Sequence, residues 1–239
     1  MLITTNAIVL SKLKYKDNDL IVKCFTQEKG VVSFLLRGVL KSKKSQNKAA
    51  YFQPLSQVQL VIDYKPNRSL QSIKETKLNV IYSSLHSHVL KSAIVLFLSE
   101  VLTNTLHEEE QDEALYSYLE NTLLWLDNQS EYANFHLLFL LKLTKYLGFY
   151  PDTTHMDFPN FNLNEGKFEL KPIYKHDISG ANLVLLKQLL ETTFQALPNI
   201  KINATQRQSF LTMMLLYFEL HLGSFRRPKS LQVFNQVFN

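Results

Sequence analysis

The chain has 239 residues, 46% of them hydrophobic and 20% charged, a balance that fits a folded globular protein and excludes a disordered one. Its single cysteine, Cys24, excludes an internal disulfide and a multi-cysteine zinc ribbon. The net charge of +5 hides two halves of opposite sign: residues 1–80 carry 14 Lys and Arg against five Asp and Glu, whereas residues 81–239 carry 12 against 16.

Residues 1–80 read as strands. Positions 2–13 have β-branched and apolar residues throughout their length, and Asp17-Asn18-Asp19 is a turn cluster. Positions 20–26 alternate Leu20, Val22 and Cys24 with Ile21, Lys23 and Phe25. Glu28-Lys29-Gly30 joins that run to 31–37 as a hairpin. Two further strands, 58–64 and 70–78, flank the turn Lys65-Pro66-Asn67-Arg68. Five short strands with positive charge predict a small barrel of the OB type, although strand counting alone does not separate it from an SH3-like one. Between the third and fourth strands, Arg37-Gly38 opens a loop with Lys41, Lys43, Lys44 and Lys48 and no acidic residue. A glycine-hinged basic loop on a barrel is suited to phosphates, so Arg37, Lys41, Lys43, Lys44 and Lys48 are the first candidates for DNA contact. Lys12, Lys14, Lys16, Lys65 and Arg68 form a second tier. Tyr15, Tyr64, Phe34 and Phe52 lie near basic residues and suit base stacking, but aromatics in small-barrel strands are more often core.

From residue 83 the period becomes helical. Leu85, Val89, Ala93, Leu96 and Glu100 share a spacing that predicts a helix to about residue 106. The acidic cluster 108–113 heads a second helix, where carboxylates favour the positive end of the helix dipole. A third helix is expected over 132–147, stopping at Gly148 ahead of Pro151. Asn164-Glu165-Gly166, between 161–163 and 168–170, predicts a hairpin. Ser179 and Asn203 are expected to cap two more helices, and 230–238 to form a last short one. The apolar run 213–218 reads as the core of a helical bundle. The fold class expected is therefore α+β: an OB-type β-barrel over 1–80, then an all-helical domain over 81–239 carrying a small β-hairpin insertion at 152–176.

The longest apolar runs, 93–98, 137–141 and 213–218, fall far short of the ~18 residues needed to span a bilayer. The N-terminus has no basic segment or small-residue cleavage site, so no secretory signal is expected and the protein reads as cytoplasmic. His86 and His88, two apart on an expected helix, do not face each other as a metal pair. No nucleotide-binding glycine loop and no nucleophile–base set is legible, so no cofactor and no enzymatic activity is expected.

Several ordered motifs bear on family. The opening TTNAIVLSKLKYKDNDLIVKCFTQEKG, the element Arg37-Gly38-Val39-Leu40-Lys41-Ser42-Lys43, the helix end Leu147-Gly148-Phe149-Tyr150-Pro151 and the tail Lys229-Ser230-Leu231-Gln232-Val233 together resemble the RecO family of recombination mediators. That family has an N-terminal OB domain and a helical domain, with a small zinc module in many members. Where those members place four cysteines, this chain has Phe158, Phe161, Phe168 and the Gly166 hairpin, so hydrophobic packing is expected in place of a metal.

The resemblance implies a non-enzymatic mediator that binds single- and double-stranded DNA, anneals complementary strands and helps load recombinase onto single strands coated with the single-stranded-DNA-binding protein, SSB. Its implied partners are a RecR-type protein and the SSB tail, which is acidic and ends in an apolar residue, typically Phe, and its implied location is the nucleoid. A receptor for that tail needs an apolar pocket beside a cation. Lys142 and Lys145, three apart on one helix, or Arg207, ahead of an apolar run, are the candidates, with a slight preference for the lysines. The alternative is an adaptor whose barrel binds protein rather than DNA.

Overall fold

The computed structural model describes residues 1–42, 48–107, 111–172 and 175–238. Lys43 and Lys44 of the basic loop, and the first part of the 108–113 acidic cluster, lie outside the described residues. By compactness the chain divides into two units: Met1–Asp127 with Pro228–Ser230, and Asn128–Arg227 with Leu231–Asn239.

The first unit is built on five antiparallel strands, β1 (Leu2–Tyr15), β2 (Asp19–Thr26), β3 (Gly30–Leu36), β4 (Gln57–Asp63) and β5 (Ser72–Leu78), in the order β3-β2-β1-β4-β5. The two edge strands meet through one parallel bridge, Phe34 to Gln71. This is the partly open five-stranded barrel expected of an OB fold. Its interior holds Ala7, Val9, Val22, Cys24, Phe34, Phe52, Val58, Leu60 and Ile62. Phe34 and Phe52 are therefore core, each worth roughly 1.5–3 kcal/mol of burial, and not stacking platforms. Tyr15 is exposed and Tyr64 half-buried, with the ammonium groups of Lys16 and Lys29 over their respective rings.

The middle of β1, Ala7–Leu10, is a continuous apolar run because both faces of the strand are covered there. Ala7 and Val9 point into the barrel, while Ile8 and Leu10 are equally buried outside it. That outer face is covered by α1 (Val89–Thr105), whose Thr103 hydroxyl donates to the Leu10 carbonyl (3.2 Å). The helix α2 (Glu113–Asn128) adds Tyr116, whose ring lies 6.0 Å from that of Phe25. Lys23 reaches from β2 to the Thr103 and Leu106 carbonyls (3.2 and 3.1 Å), a cation at the negative end of α1.

Three details of these helices differ from the sequence pattern. Helix α1 begins at Val89, not near residue 83, because Ser83, Ser84 and Leu85 give their backbone N–H groups to Asp127 at the end of α2 (2.8 Å each). Its buried face is Ile94, Val95, Phe97, Leu98, Val101 and Leu102, so Val89 and Leu96 from the expected stripe are exposed. His86 and His88 precede the helix, and the ring of His86 contacts the Pro54 carbonyl (2.9 Å). Asp112 caps α2 by accepting from the Leu115 N–H (2.8 Å).

The second unit contains α3 (Phe135–Tyr146), α4 (Gly180–Glu191), α5 (Ala204–His221), α6 (Leu231–Val237) and a small sheet of β6 (Asn160–Asn162), β7 (Lys167–Glu169) and β8 (Asp177–Ile178), ordered β7-β6-β8. The 164–166 hairpin forms as the sequence indicates, with β8 as a third strand that periodicity had not marked. Phe161 and Phe168 are buried with their rings edge to face at 4.9 Å. Phe158 does not join them: it is half-buried and stacks on His155 at 4.7 Å. Gly166, at φ +66, sits against Tyr217 so closely that a Cβ there would lie 2.6 Å from the phenol oxygen. That hydroxyl donates to the Phe149 carbonyl (2.8 Å). Asn203 caps α5 through Gln206 N–H (2.8 Å), whereas Ser179, at the N-cap of α4, makes no side-chain cap bond. No helix among the described residues is long and apolar enough to cross a membrane.

Candidate nucleic-acid interface

Beyond the Phe34–Gln71 bridge, β3 and β5 part, and a groove of about 960 Å³ opens between them. Leu35–Val39 form one wall and Leu70–Lys77 the other, with Ser42, Lys48, Tyr51 and Phe52 completing it. Five cations, Arg37, Lys48, Arg68, Lys74 and Lys77, line the groove against one carboxylate, Glu75. All five are exposed at its surface. Such a lining neutralises phosphates along an extended backbone.

Two of these cations escaped the sequence reading. Val61 pairs with Glu75 and Ile62 with Ile73, which leaves Lys74 as the extra residue of a β-bulge. The bulge lets Ile73 and Thr76 keep the register of Ile62 and Leu60 while the strand bends. In sequence, Lys74 and Lys77 look like the solvent face of an ordinary strand. The available signal was their place on the last strand of a barrel, which is an edge.

Polar ties fix the rims. Gly38, at φ +64, gives its N–H to the Asp19 carboxylate (2.7 Å), and Leu40 gives its N–H to the Asn18 carbonyl (3.0 Å). The start of the basic loop is thus fastened to the tip of the β1–β2 hairpin. Lys41 follows this turn and is exposed. Lys12 and Lys14 lie along the exposed end of β1 and Lys16 in the turn that follows it, all three outside the groove lining. Lys65 stands at the opposite turn, 3.9 Å from Asp63, and also outside the lining.

The candidates of the second unit lie in different settings. Lys142 donates to the Leu190 carbonyl (2.9 Å) and the Tyr150 hydroxyl (3.2 Å), tying α3 to the end of α4. Lys145 is exposed in the last turn of α3. Arg207 donates to the Asn134 side chain (3.0 Å) and the Ile202 carbonyl (3.3 Å). It borders a slot shared with His136, Leu211, Phe234 and Phe238. His136 is fully buried, with no hydrogen-bond partner for either ring nitrogen among the described residues. Burial, aided by the nearby Arg207 charge, holds its pKa down at about 3, so the ring is neutral.

The hairpin module does not suit a metal. Its interior is the Phe161–Phe168 pair, and no three His, Cys, Asp or Glu side chains among the described residues group as ligands. The one thiol, Cys24, is buried in the barrel, where desolvation raises its pKa.

Residues 1–82 match the family model for the recombination protein O N terminal, and residues 86–232 match that for the recombination protein O C terminal. The chain belongs to the RecO family. It is 48% identical over 238 residues to the DNA repair protein RecO of Christiangramia forsetii, covering 100% of both chains. Identity is 41% over 243 residues to that of Flavobacterium psychrophilum and 36% over 246 to that of Bacteroides fragilis, again across 100% of both chains. The RecO models divide the sequence near residue 84, whereas the compact units divide after Asp127. The difference reflects α1 and α2, which are helical in sequence pattern but pack on the barrel.

Proposed function

We propose that this RecO-family chain is a DNA repair mediator whose barrel binds single- and double-stranded DNA, with the β3–β5 groove as the seat of one strand. The observation that carries this reading is the groove lining of Arg37, Lys48, Arg68, Lys74 and Lys77 around a single Glu75. A protein surface that neutralises phosphates lowers the repulsion between two strands, which is what annealing requires. The same reading makes the protein a non-enzymatic partner of a RecR-type protein and of SSB, acting at the nucleoid to help load recombinase. The helical part suits protein contacts, with Lys142, Lys145 or Arg207 beside the SSB tail. Lys41, Lys12, Lys14, Lys16 and Lys65 extend the phosphate track beyond the groove, and Lys43 and Lys44, outside the described residues, are proposed as further phosphate contacts.

The test is filter binding of a single-stranded oligonucleotide across a salt series, comparing the parent chain with Arg37→Ala/Lys74→Ala/Lys77→Ala. Three lost phosphate contacts should flatten the log–log salt slope by about 2, at ~0.7 per contact. An unchanged slope would move DNA off this groove and favour a barrel that binds protein.

A further inference from the structure

The residue that closes the barrel also shapes the basic turn beside it. Gln71 forms the only parallel bridge between the edge strands recorded among the described residues: its N–H donates to the Ser33 carbonyl (2.8 Å) and its carbonyl accepts from Leu35 N–H (3.1 Å). Its side chain, only 3% exposed, turns toward the Lys65-Pro66-Asn67-Arg68 turn. There Oε1 accepts from Lys65 N–H (2.8 Å), while Nε2 donates to the Lys65 carbonyl (2.8 Å) and the Arg68 carbonyl (2.6 Å). Both amide hydrogens and the amide oxygen are therefore engaged. The turn's own bond, Arg68 N–H to Lys65 carbonyl (3.0 Å), is folded around that carboxamide.

A carboxamide suits this position chemically. It offers one acceptor and two donors at the end of a short stem, matching the one N–H and two carbonyls presented by the turn. A carboxylate offers no donor, and an apolar side chain leaves three backbone groups without these bonds. Arg68 lies at the end of the turn and lines the groove together with Gln71.

We infer that Gln71 is a positioning residue for DNA binding, holding Arg68 at the groove through the 65–68 turn. This rests on the reading of the groove as a DNA seat. The experiment measures salt dependence of binding to single-stranded oligothymidine by the full chain. The variants are Arg68→Ala, Gln71→Met and their double, with Lys77→Ala as an independent groove contact. Arg68→Ala should flatten the slope by about 0.7. Gln71→Met, close in size but lacking the three bonds, should flatten it by the same amount. The double should be no flatter than Arg68→Ala alone, whereas Gln71→Met with Lys77→Ala should flatten additively. A purely structural loss would not single out Arg68 in this way. If Gln71→Met keeps the parent slope while Arg68→Ala flattens it, the inference is wrong. If Arg68→Ala and Lys77→Ala both keep the parent slope, the groove reading itself fails. Should Gln71→Met not fold, Gln71→Asn, whose amide is one methylene short of the turn, is read by the same comparison with Arg68→Ala, and a parent slope there likewise overturns the inference.

Discussion

At the scale of single residues, the barrel unit depends on a few polar side chains that each organise several backbone groups. Asp127 is the clearest. Burial pushes its carboxyl up, but the N–H groups of Ser83, Ser84 and Leu85, with the Ser83 hydroxyl, outweigh that and hold it at about 2. An unfolded Asp titrates at about 3.9. The native pKa is the lower of the two, so this stabilisation is complete above the unfolded value and is lost as pH falls from about 4 toward 2. Urea midpoints measured between pH 5 and pH 2 should therefore fall more steeply for the parent than for Asp127→Asn. Equal slopes would mean that the carboxylate charge contributes nothing. Asp127→Ala strands three N–H groups and should cost about 3 kcal/mol at neutral pH.

At the scale of elements, the small sheet of the second unit is held by two rings and a close glycine. Phe168→Ala should destabilise by roughly 3–5 kcal/mol, since its ring is buried against Phe161. Phe158→Ala should cost far less, because that ring rests half-exposed on His155. Similar losses from both in denaturant melts would contradict the packing described. Because these rings fill the module and the one thiol, Cys24, is buried in the barrel, elemental analysis of protein purified without chelator should find no stoichiometric zinc; one zinc per chain would overturn this. The strands of the barrel and the 164–166 hairpin were legible because alternation and turn residues are local signals. The start of α1 was not, because Ser83–Leu85 are drawn into a turn by Asp127, more than forty positions away in sequence. The candidate site was half legible for the same reason. Arg37, Lys48 and Arg68 announce themselves in basic loops and turns, whereas Lys74 and Lys77 enter the groove only through a bulge and a barrel closure that no local pattern encodes.

At the scale of the whole molecule, the groove proposed for DNA and the cations proposed for the SSB tail lie in different compact units, so on this reading the two kinds of binding are separable by mutation. Lys41→Glu/Lys43→Glu/Lys44→Glu should nearly abolish binding to single-stranded DNA and flatten its salt slope by about 0.7 per lost contact, while the chain stays folded. A fluorescent acidic peptide ending in Phe, the chemistry of an SSB tail, should bind that variant as it binds the parent. The reverse holds for the second unit. Lys142 is already bonded to Leu190 and Tyr150, so Lys142→Ala also removes an internal tie, and its effect must be read beside a melting curve. Lys145 is exposed, and Arg207 uses two N–H groups internally while bordering the slot filled by Phe234 and Phe238. A charge-assisted bond to the terminal carboxylate is worth about 1.5–3 kcal/mol. At least one of Lys142→Ala, Lys145→Ala and Arg207→Ala should thus weaken peptide binding roughly tenfold or more in fluorescence anisotropy, with the DNA salt slope unchanged. If all three bind the peptide like the parent chain, the tail site lies elsewhere.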